Sequence, residues 1–551
     1  MNKIVECVPN FSEGRDMGII KQITDEIEKV EGAILLDVDP GADTNRTVVT
    51  FVGTPEAVKE AAFRAIKKAA ELIDMSKHKG AHPRMGATDV CPFVPVSGVT
   101  MEDCVQIAKE VGERVARELG IPVYLYEEAA TRSERRSLAD IRAGEYEGLP
   151  EKLKDPEWKP DFGEPVFNPK SGATVIGARE FLIAYNLNVN TRDRKLAHRV
   201  ALRIREKGRI VKKKDGTKER VPGRLKAVRA IGWYIPEYGY AQISVNLTNY
   251  KITPLWKLFE VASEEAEGLG LRITGSELVG LIPKEAMLES GRHFLEKMGK
   301  CPAVPEKELI HIAVLSMGMD QTHPFKPEEK IIEYRIAKEK NLTAMRIDDF
   351  ADELSSESPA PGGGSVAALI GTLSASLSSM VANLTYNKKG YKEFNDEIAA
   401  AGIEAQKLKD RFLSLIEEDT EAFNSVMDAM KMPSGTDEEA EAKEKAIEEA
   451  TKKATSVPLE TLKLTEKLLE VANVVVEKGN KNSISDAGVA AISAKAAAES
   501  AYMNVIINVP GIKDEEFKEN VLKEAKEVLE NVRKKSDEIR DKVMKYLEEN
   551  L

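Results

Sequence analysis

Between residues 55 and 96 the spacing of apolar positions changes its period. Val58, Ala62, Ile66 and Ile73 recur at helical intervals, which predicts an amphipathic helix from Pro55 to Met75. Val90 to Val96 is a short apolar run, the pattern of a buried strand. Between them lies KHKGAHPRMGATDVCPFVP, residues 77–95. Pro83 fixes its own φ and pushes His82 out of the helical region, while Gly80 and Gly86 accept backbone that other residues resist. The prediction is a loop between helix and strand that carries His78 and His82, the kind of place where reactive groups sit.

The flanking pattern extends this unit. Ile4–Val8 reads as a strand closed by Pro9, Asn10–Arg15 as a polar turn and Met17–Val30 as a helix. Ala33–Val38 and Thr47–Val52 read as two more strands. Strand-helix-strand-strand-helix-strand is the ferredoxin-like order. Residues 101–160 turn helical and then irregular, and PDFGEPVFNPKSG, 160–172, is too rich in Pro and Gly for regular structure. A second set begins near Phe181 with LIAYNLNVN and runs through IGWYIPEYGYAQISVNL to a helix at Pro254–Leu269.

Near Tyr334 the texture changes. Past Pro361 the only prolines are Pro433, Pro458 and Pro510, and Ala, Glu and Lys dominate. The last helix carries an apolar stripe at Phe517, Val521, Ala525, Val528, Val532, Ile539 and Val543. The predicted fold class is multidomain: two α+β (ferredoxin-like βαββαβ) subdomains, 1–180 and 181–333, a linker at 334–341, and an all-α helical-bundle domain at 342–551.

Composition narrows the function. Apolar residues make up 42% and charged residues 31%, ordinary for a soluble globular protein. A net charge of -12 argues against wholesale nucleic-acid binding. The basic run from Arg203 to Arg229, with Lys212, Lys213 and Lys214, reads as a solvated hairpin or as an attractor for an anionic ligand tail, and lacks interleaved aromatics. Cys7, Cys91, Cys104 and Cys301 have no CxxC spacing, which fits a reducing cytoplasm. The first residues hold no apolar core of signal-peptide length, and Ser, Thr and Asn break the run Val366–Leu384, so a buried helix is expected there rather than a membrane span.

Four features carry candidate chemistry. His78 reads as a surface or satisfied core residue. His82, beside Arg84 and ahead of Thr88 and Asp89, reads as a proton-transfer group, with Arg84 or Asp89 positioning it or a substrate carboxylate. HExxH spacing is absent, so no metal is expected. Asp37, Asp39 and Asp43 cap a turn or supply a carboxylate that orients the histidine or a substrate amine. PAPGGGS, 359–365, opens a helix of small residues, where glycine amides can hold an anion or let backbones approach closely. In EEDTEAFN, 417–424, helical spacing sets Asp419 beside Leu415, Ala422 and Phe423, a setting that raises a carboxyl pKa.

These residues also carry a family resemblance. VECVPNFSEGR, LLDVDPGADTNRT, DMSKHKGAHPRMGATDVCPF, SGATVIGAREFLIAYN and IGWY resemble glutamate formiminotransferase. SPAPGGGSVAAL, MVANLTY, EEDTEAFN, MKMP, NSISDAGVAA and NVIIN resemble formiminotetrahydrofolate cyclodeaminase, in the order of the fused bifunctional enzymes. The resemblance implies that tetrahydrofolate, with or without a polyglutamate tail, takes the formimino group from N-formimino-L-glutamate and releases glutamate. Cyclisation of 5-formimino-tetrahydrofolate to 5,10-methenyltetrahydrofolate and ammonia follows. It places the transferase histidine at His82, the cyclodeaminase aspartate at Asp419, and a folate loop at Gly163, Glu164, Pro165, Val166, Phe167, Asn168, Pro169, Lys170, Ser171 and Gly172. Asp39 is the expected holder of the His82 tautomer. Ser171 stands where animal members have an aromatic residue, and KKKDGTK is longer than in animal forms. Small-molecule substrates, a homo-oligomer built from dimers and a cytoplasmic location are expected, with no nucleic acid, membrane or metal. Two other readings of the helical half stand beside this one: a methenyltetrahydrofolate cyclohydrolase, and a catalytically silent oligomerisation module.

Overall fold

The computed structural model describes residues 3–80, 82–213, 216–336 and 342–551. Most of the expected linker, residues 337–341, and Lys214 in the basic run lie outside them. Contacts divide the chain into two compact units: Met1–Met287 with Met317–Ala337, and Leu288–Ser316 with Lys338–Leu551. Residues 288–316 are thus grouped with the helical unit, ahead of the change in composition near Tyr334.

Among the described residues the first unit holds two main sheets and a two-stranded hairpin. In the larger, β1 (Ile4–Cys7) and β2 (Asn10–Phe11) form one broken central strand between β4 (Arg46–Gly53) and β5 (Thr88–Ser97), with β3 (Ala33–Gly41) outside β4. These pairs are antiparallel. Helices α1 (Met17–Glu28) and α2 (Pro55–Leu72) complete the ferredoxin-like order. Asp16 caps α1, and Thr54 caps α2 with Pro55 in its first turn, each cap worth about 1 kcal/mol. Val5 and Cys7 alternate into the core with Val49, Phe51, Phe93 and Ile66, while Glu6 points to the other face.

Two differences from the sequence pattern concern strands. The expected turn after Pro9 is instead β2, because the Pro9 carbonyl accepts from Val49 N at 3.0 Å and pairing resumes at Asn10. Beyond helix α3 (Met101–Leu119), β6 (Val123–Glu127) and β7 (Thr174–Ala178) join β5 in parallel. Each is five residues long, too short to show a period.

The second sheet repeats the plan. Strands β8 (Ile183–Val189), β11 (Val228–Ile235), β12 (Tyr240–Leu247) and β13 (Ile273–Val279) lie in the order β11-β12-β8-β13. Helices α4 (Arg194–Ile204) and α5 (Leu255–Glu267) complete it. The basic run contributes a separate hairpin, β9 (Arg209–Lys212) with β10 (Lys218–Val221).

The helical unit is built on α6 (Gly363–Thr385), α7 (Asn395–Met430), α8 (Asp437–Lys478), α9 (Ile484–Asn508) and α10 (Glu515–Glu549). Small side chains let α6 and α9 approach closely: Ala487, Ala490, Ala494 and Ala498 are fully buried, and Ser374 Oγ donates to Ala490 O at 2.7 Å. By length and a mean hydropathy of 1.6, α6 passes as a membrane span, yet 61% of that window is buried within the protein. Residues 288–316 belong to this packing, since Ser379 Oγ and Asn383 Nδ2 both donate to Ala303 O.

Candidate active sites

The loop between α2 and β5 is fixed from both ends. His78 accepts from Arg84 Nε at 3.2 Å through Nδ1 and donates from Nε2 to Asn45 O at 2.8 Å. His78 is a satisfied structural residue, as its sequence setting indicated. Arg84 forks onto Glu147 at 2.6 and 2.8 Å and reaches Glu145 at 3.1 Å. Asp89, fully buried, accepts from Met85 N at 2.9 Å and is ion-paired with Arg142. Neither Arg84 nor Asp89 hydrogen-bonds His82, because each is committed to another partner.

His82 stands half-buried among these charges. Burial, then the Arg46 and Arg142 guanidinium groups, hold its imidazole below the usual range, with Asp89 opposing. The ring is therefore neutral at neutral pH and ready to accept a proton. Its Nδ1 is buried and has no hydrogen-bond partner among the described residues. Asp39 is exposed on β3, opposite Val48, and no hydrogen bond joins it to His82. Its charge acts on Arg46.

The same loop is stapled to residues 163–172. Ala87 N donates to Ser171 O at 2.9 Å, and Ala173 N to Met85 O at 3.2 Å. A Cβ on Gly86 would meet Ser171 O and Ala173 O at 2.4 Å, so no larger residue fits there. Ser171 is buried in this staple, its N–H bonded to Asn168 Oδ1 at 3.0 Å. Gly163, Glu164, Val166, Phe167, Asn168 and Pro169 line a cleft of about 530 Å³ with Ala116 of α3 and Gly120, which caps its C-terminus. Most of the expected folate loop therefore faces open space, while Lys170–Gly172 anchor it; Lys170 Nζ reaches Glu71 O at 2.7 Å.

In the helical unit, Asp419 lies mid-way along α7 against the first turn of α6. Ser365 Oγ donates to Asp419 Oδ2 at 3.0 Å, and the Ser365 N–H bonds the same carboxylate. Gly364 passes so close that a Cβ there would lie 2.1 Å from Asp419 Oδ1. The α6 N-cap, Gly362, offers no side chain, so Asp419 caps this helix from outside. Burial nevertheless raises its carboxyl above the usual range, against the two Ser365 donors. Thr420 Oγ1 lies 3.3 Å from Ser365 Oγ, and Asn504 of α9 flanks Gly363. Glu417 turns away to hold Thr343 through N at 2.8 Å and Oγ1 at 3.0 Å.

The PGGGS turn and Asp419 thus meet. Arg46, Arg142, Thr420 and Asn504 are site neighbours that the sequence reading missed. Asn504 lies within NVIIN, a motif already noted, but nothing local tells which residue of it turns inward.

Comparison with known proteins divides the chain into three matches, and places residues 288–316 in the second of them. Family profiles match residues 4–179 as the formiminotransferase domain N-terminal subdomain, 184–337 as the formiminotransferase domain, and 346–527 as formiminotransferase-cyclodeaminase. The chain is 45% identical over 537 residues to a formimidoyltransferase-cyclodeaminase from Gallus gallus, covering 96% of this chain and 97% of that one. It is 43% identical over 296 residues, 54% of this chain and 94% of the relative, to a glutamate formimidoyltransferase from Streptococcus pyogenes serotype M1. Over 183 residues, 33% of this chain and 88% of the relative, it is 43% identical to a methenyltetrahydrofolate cyclohydrolase from Methylorubrum extorquens. The chain belongs to the formimidoyltransferase-cyclodeaminase family.

Proposed function

We propose that this chain transfers the formimino group of N-formimino-L-glutamate to tetrahydrofolate and then closes the product to 5,10-methenyltetrahydrofolate with release of ammonia. One observation supports the reading above others: His82 holds a half-buried imidazole kept neutral by burial and the Arg46 and Arg142 charges, and Asp419, at the mouth of a glycine-rich helix start, a carboxyl raised by burial, the two states that separate proton-transfer groups would need.

In the transfer, N5 of the folate attacks the formimino carbon and loses its proton to His82. The same ring returns that proton to the departing glutamate nitrogen, so the imidazole ends neutral. The folate lies along the Gly163–Gly172 cleft, which the Gly86 staple ties to the His82 loop. Asp39 acts at a distance, through Arg46 rather than by holding the ring.

In the second step N10 attacks the carbon of the protonated formimino group, –CH=NH2+. Asp419 carries the N10 proton to the NH2 so formed, which departs as ammonia, and its carboxylate then faces the cationic methenyl product. The Ser365 donors keep the carboxylate in one orientation throughout.

The transferase occupies 1–180 and 181–333, the cyclodeaminase 342–551. The substrate folate is tetrahydrofolate with or without a polyglutamate tail, and the protein works as a cytoplasmic homo-oligomer built from dimers. Exposed Leu373 and Leu384 on α6 and Met503 and Ile507 on α9 support such pairing. The likeness to a cyclohydrolase favours a second reading, in which this unit mainly hydrolyses the methenyl product. Supplying 5-formimino-tetrahydrofolate alone, and in a second assay 5,10-methenyltetrahydrofolate alone, tests both. Ammonia and methenyl absorbance should rise together in the first without glutamate; loss of methenyl absorbance in the second, with no ammonia released in the first, would leave the second reading.

A further inference from the structure

We propose that the open face of the second sheet is a binding site, centred on Glu277, for a planar N–C–N group of the amidine or 2-aminopyrimidinone type. The proposal rests on the substrate reading above and names where one of those substrates is gripped.

Opposite its helices this sheet is polar where it is covered. Asn186, Asn188 and Gln242 are 6%, 0% and 0% exposed. Register sets Gln242 opposite Asn188 and Asn186 opposite Glu277. Gln242 Nε2 donates to Asn188 Oδ1 at 2.7 Å and to Glu277 Oε2 at 3.2 Å. Asn186 Nδ2 donates to the same Oε2 at 3.3 Å, and the Tyr238 hydroxyl to Oε1 at 3.1 Å. Neutral donors therefore fix the carboxylate on three sides.

Its charge has no strong partner. The Glu277 side chain is only 17% exposed, and no Lys or Arg lies within ion-pair distance among the described residues. The one basic group nearby, His323 Nδ1, stands 3.7 Å away on a side chain 71% exposed. Removing a carboxylate from water without a cation costs free energy, which an N–H-rich ligand would offset. A second acceptor waits on the same floor: Gln242 Oε1 is buried with no hydrogen-bond partner among the described residues. Flipping that amide would forfeit both Nε2 bonds, so the oxygen is held as the unpaired atom.

The rim is aromatic. Tyr238 and Tyr240 stack at 5.7 Å, and His323 packs edge-on to Tyr238 at 6.2 Å. An acceptor floor under an aromatic wall selects planar groups rich in N–H: Glu277 Oε1 has a lone pair left for one N–H beside the Tyr238 hydroxyl, and the rings attract a cation or stack on a flat edge. Both substrates offer such a group. The formimino group of N-formiminoglutamate is an amidine, cationic at neutral pH, and the folate ring presents a neutral 2-aminopyrimidinone edge. The carboxylates of either ligand are repelled by Glu277 and point away from it.

Calorimetry and steady-state kinetics on the full chain test this, with N-formimino-L-glutamate and the unreactive 5-formyltetrahydrofolate as separate probes. In Glu277→Gln, binding of one probe should weaken about tenfold or more, with the matching KM raised, kcat held within about threefold, and the other probe unaffected. Weakening of N-formiminoglutamate assigns the amidine; weakening of the folate assigns the pyrimidinone edge. Tyr238→Phe and His323→Ala, both on the accessible rim, should weaken the same probe more mildly and decide the matter if Glu277→Gln does not fold. Unchanged affinity for both probes in folded variants overturns the site alone. A wild-type chain that turns over neither substrate overturns the substrate reading, and the proposed ligand with it.

Discussion

Ser365 donates its hydroxyl to Asp419 across 3.0 Å, joining the first turn of one helix to the middle of another. One carboxylate therefore does two jobs, capping a helix and carrying a proton, and the two can be separated. Asp419→Asn keeps an acceptor for Ser365 but cannot ionise. It should lose about a hundred- to ten-thousandfold in ammonia release from 5-formimino-tetrahydrofolate. Because burial raises this carboxyl, the folded state holds its proton more tightly than the unfolded chain does. The wild type therefore loses stability as pH rises from 3.8 through the folded value, and the variant does not. Melting curves should put Asp419→Asn at or above the wild type near pH 7, with the gap closing toward pH 4.

His82→Ala should lower glutamate release by about a hundred- to ten-thousandfold while sparing ammonia release from supplied 5-formimino-tetrahydrofolate. The neutral ring is favoured, so the transfer rate should hold steady on acidification until below pH 6.5. Removing the Arg46 charge, as Arg46→Met, should move that acidic limb upward toward 6.5, because Arg46 is the largest of the charges opposing protonation. A pH profile of kcat/KM on both proteins reads this shift.

Glu6 faces away from the core on the central strand, 2% exposed, and burial pushes its carboxyl up to about 7 despite Arg179. The folded state binds this proton more tightly, so stability is lost as pH rises from 4.5 through about 7. Glu6→Gln should gain up to about 3 kcal/mol at pH 8 and nothing below pH 4.5, read by denaturant unfolding at the two pH values.

The helical unit should pair with a second copy through its exposed apolar rows. Leu373→Glu with Ile507→Glu, at positions 54% and 74% exposed, should shift sedimentation of the full chain toward smaller species. The double variant staying fully assembled would place the pairing elsewhere.

The ferredoxin-like order was legible because the strands of the first unit are bounded by Pro, Gly and Asx turns and the helices by caps at Asp16 and Thr54. β6 and β7 were not, since their identity lies in parallel pairing with a distant strand rather than in local period. The same distinction governs the sites. His82 stood out beside Pro83, but the charges that tune it come from Arg46 and Arg142, each far off in the chain. Asp39 looked like its orienter because both belong to motifs of the same unit, yet strand alternation leaves Asp39 exposed on β3. Residues 288–316 gave no sign of joining the helical unit, since it is bonds from distant residues, such as those from Ser379 and Asn383 to Ala303 and from Asn387 to Gly299, that reveal it. The polar floor around Glu277 was hidden for a similar reason: Asn186, Asn188 and Gln242 read singly as ordinary strand residues until register brings them together.

The most direct measurement is a single incubation of the purified chain with N-formimino-L-glutamate and tetrahydrofolate, following glutamate, ammonia and methenyl absorbance together. Two catalytic centres in one chain predict equal final amounts of all three, with glutamate appearing first and ammonia keeping step with the methenyl signal. Glutamate release without ammonia, or methenyl formation that does not track ammonia, would contradict it.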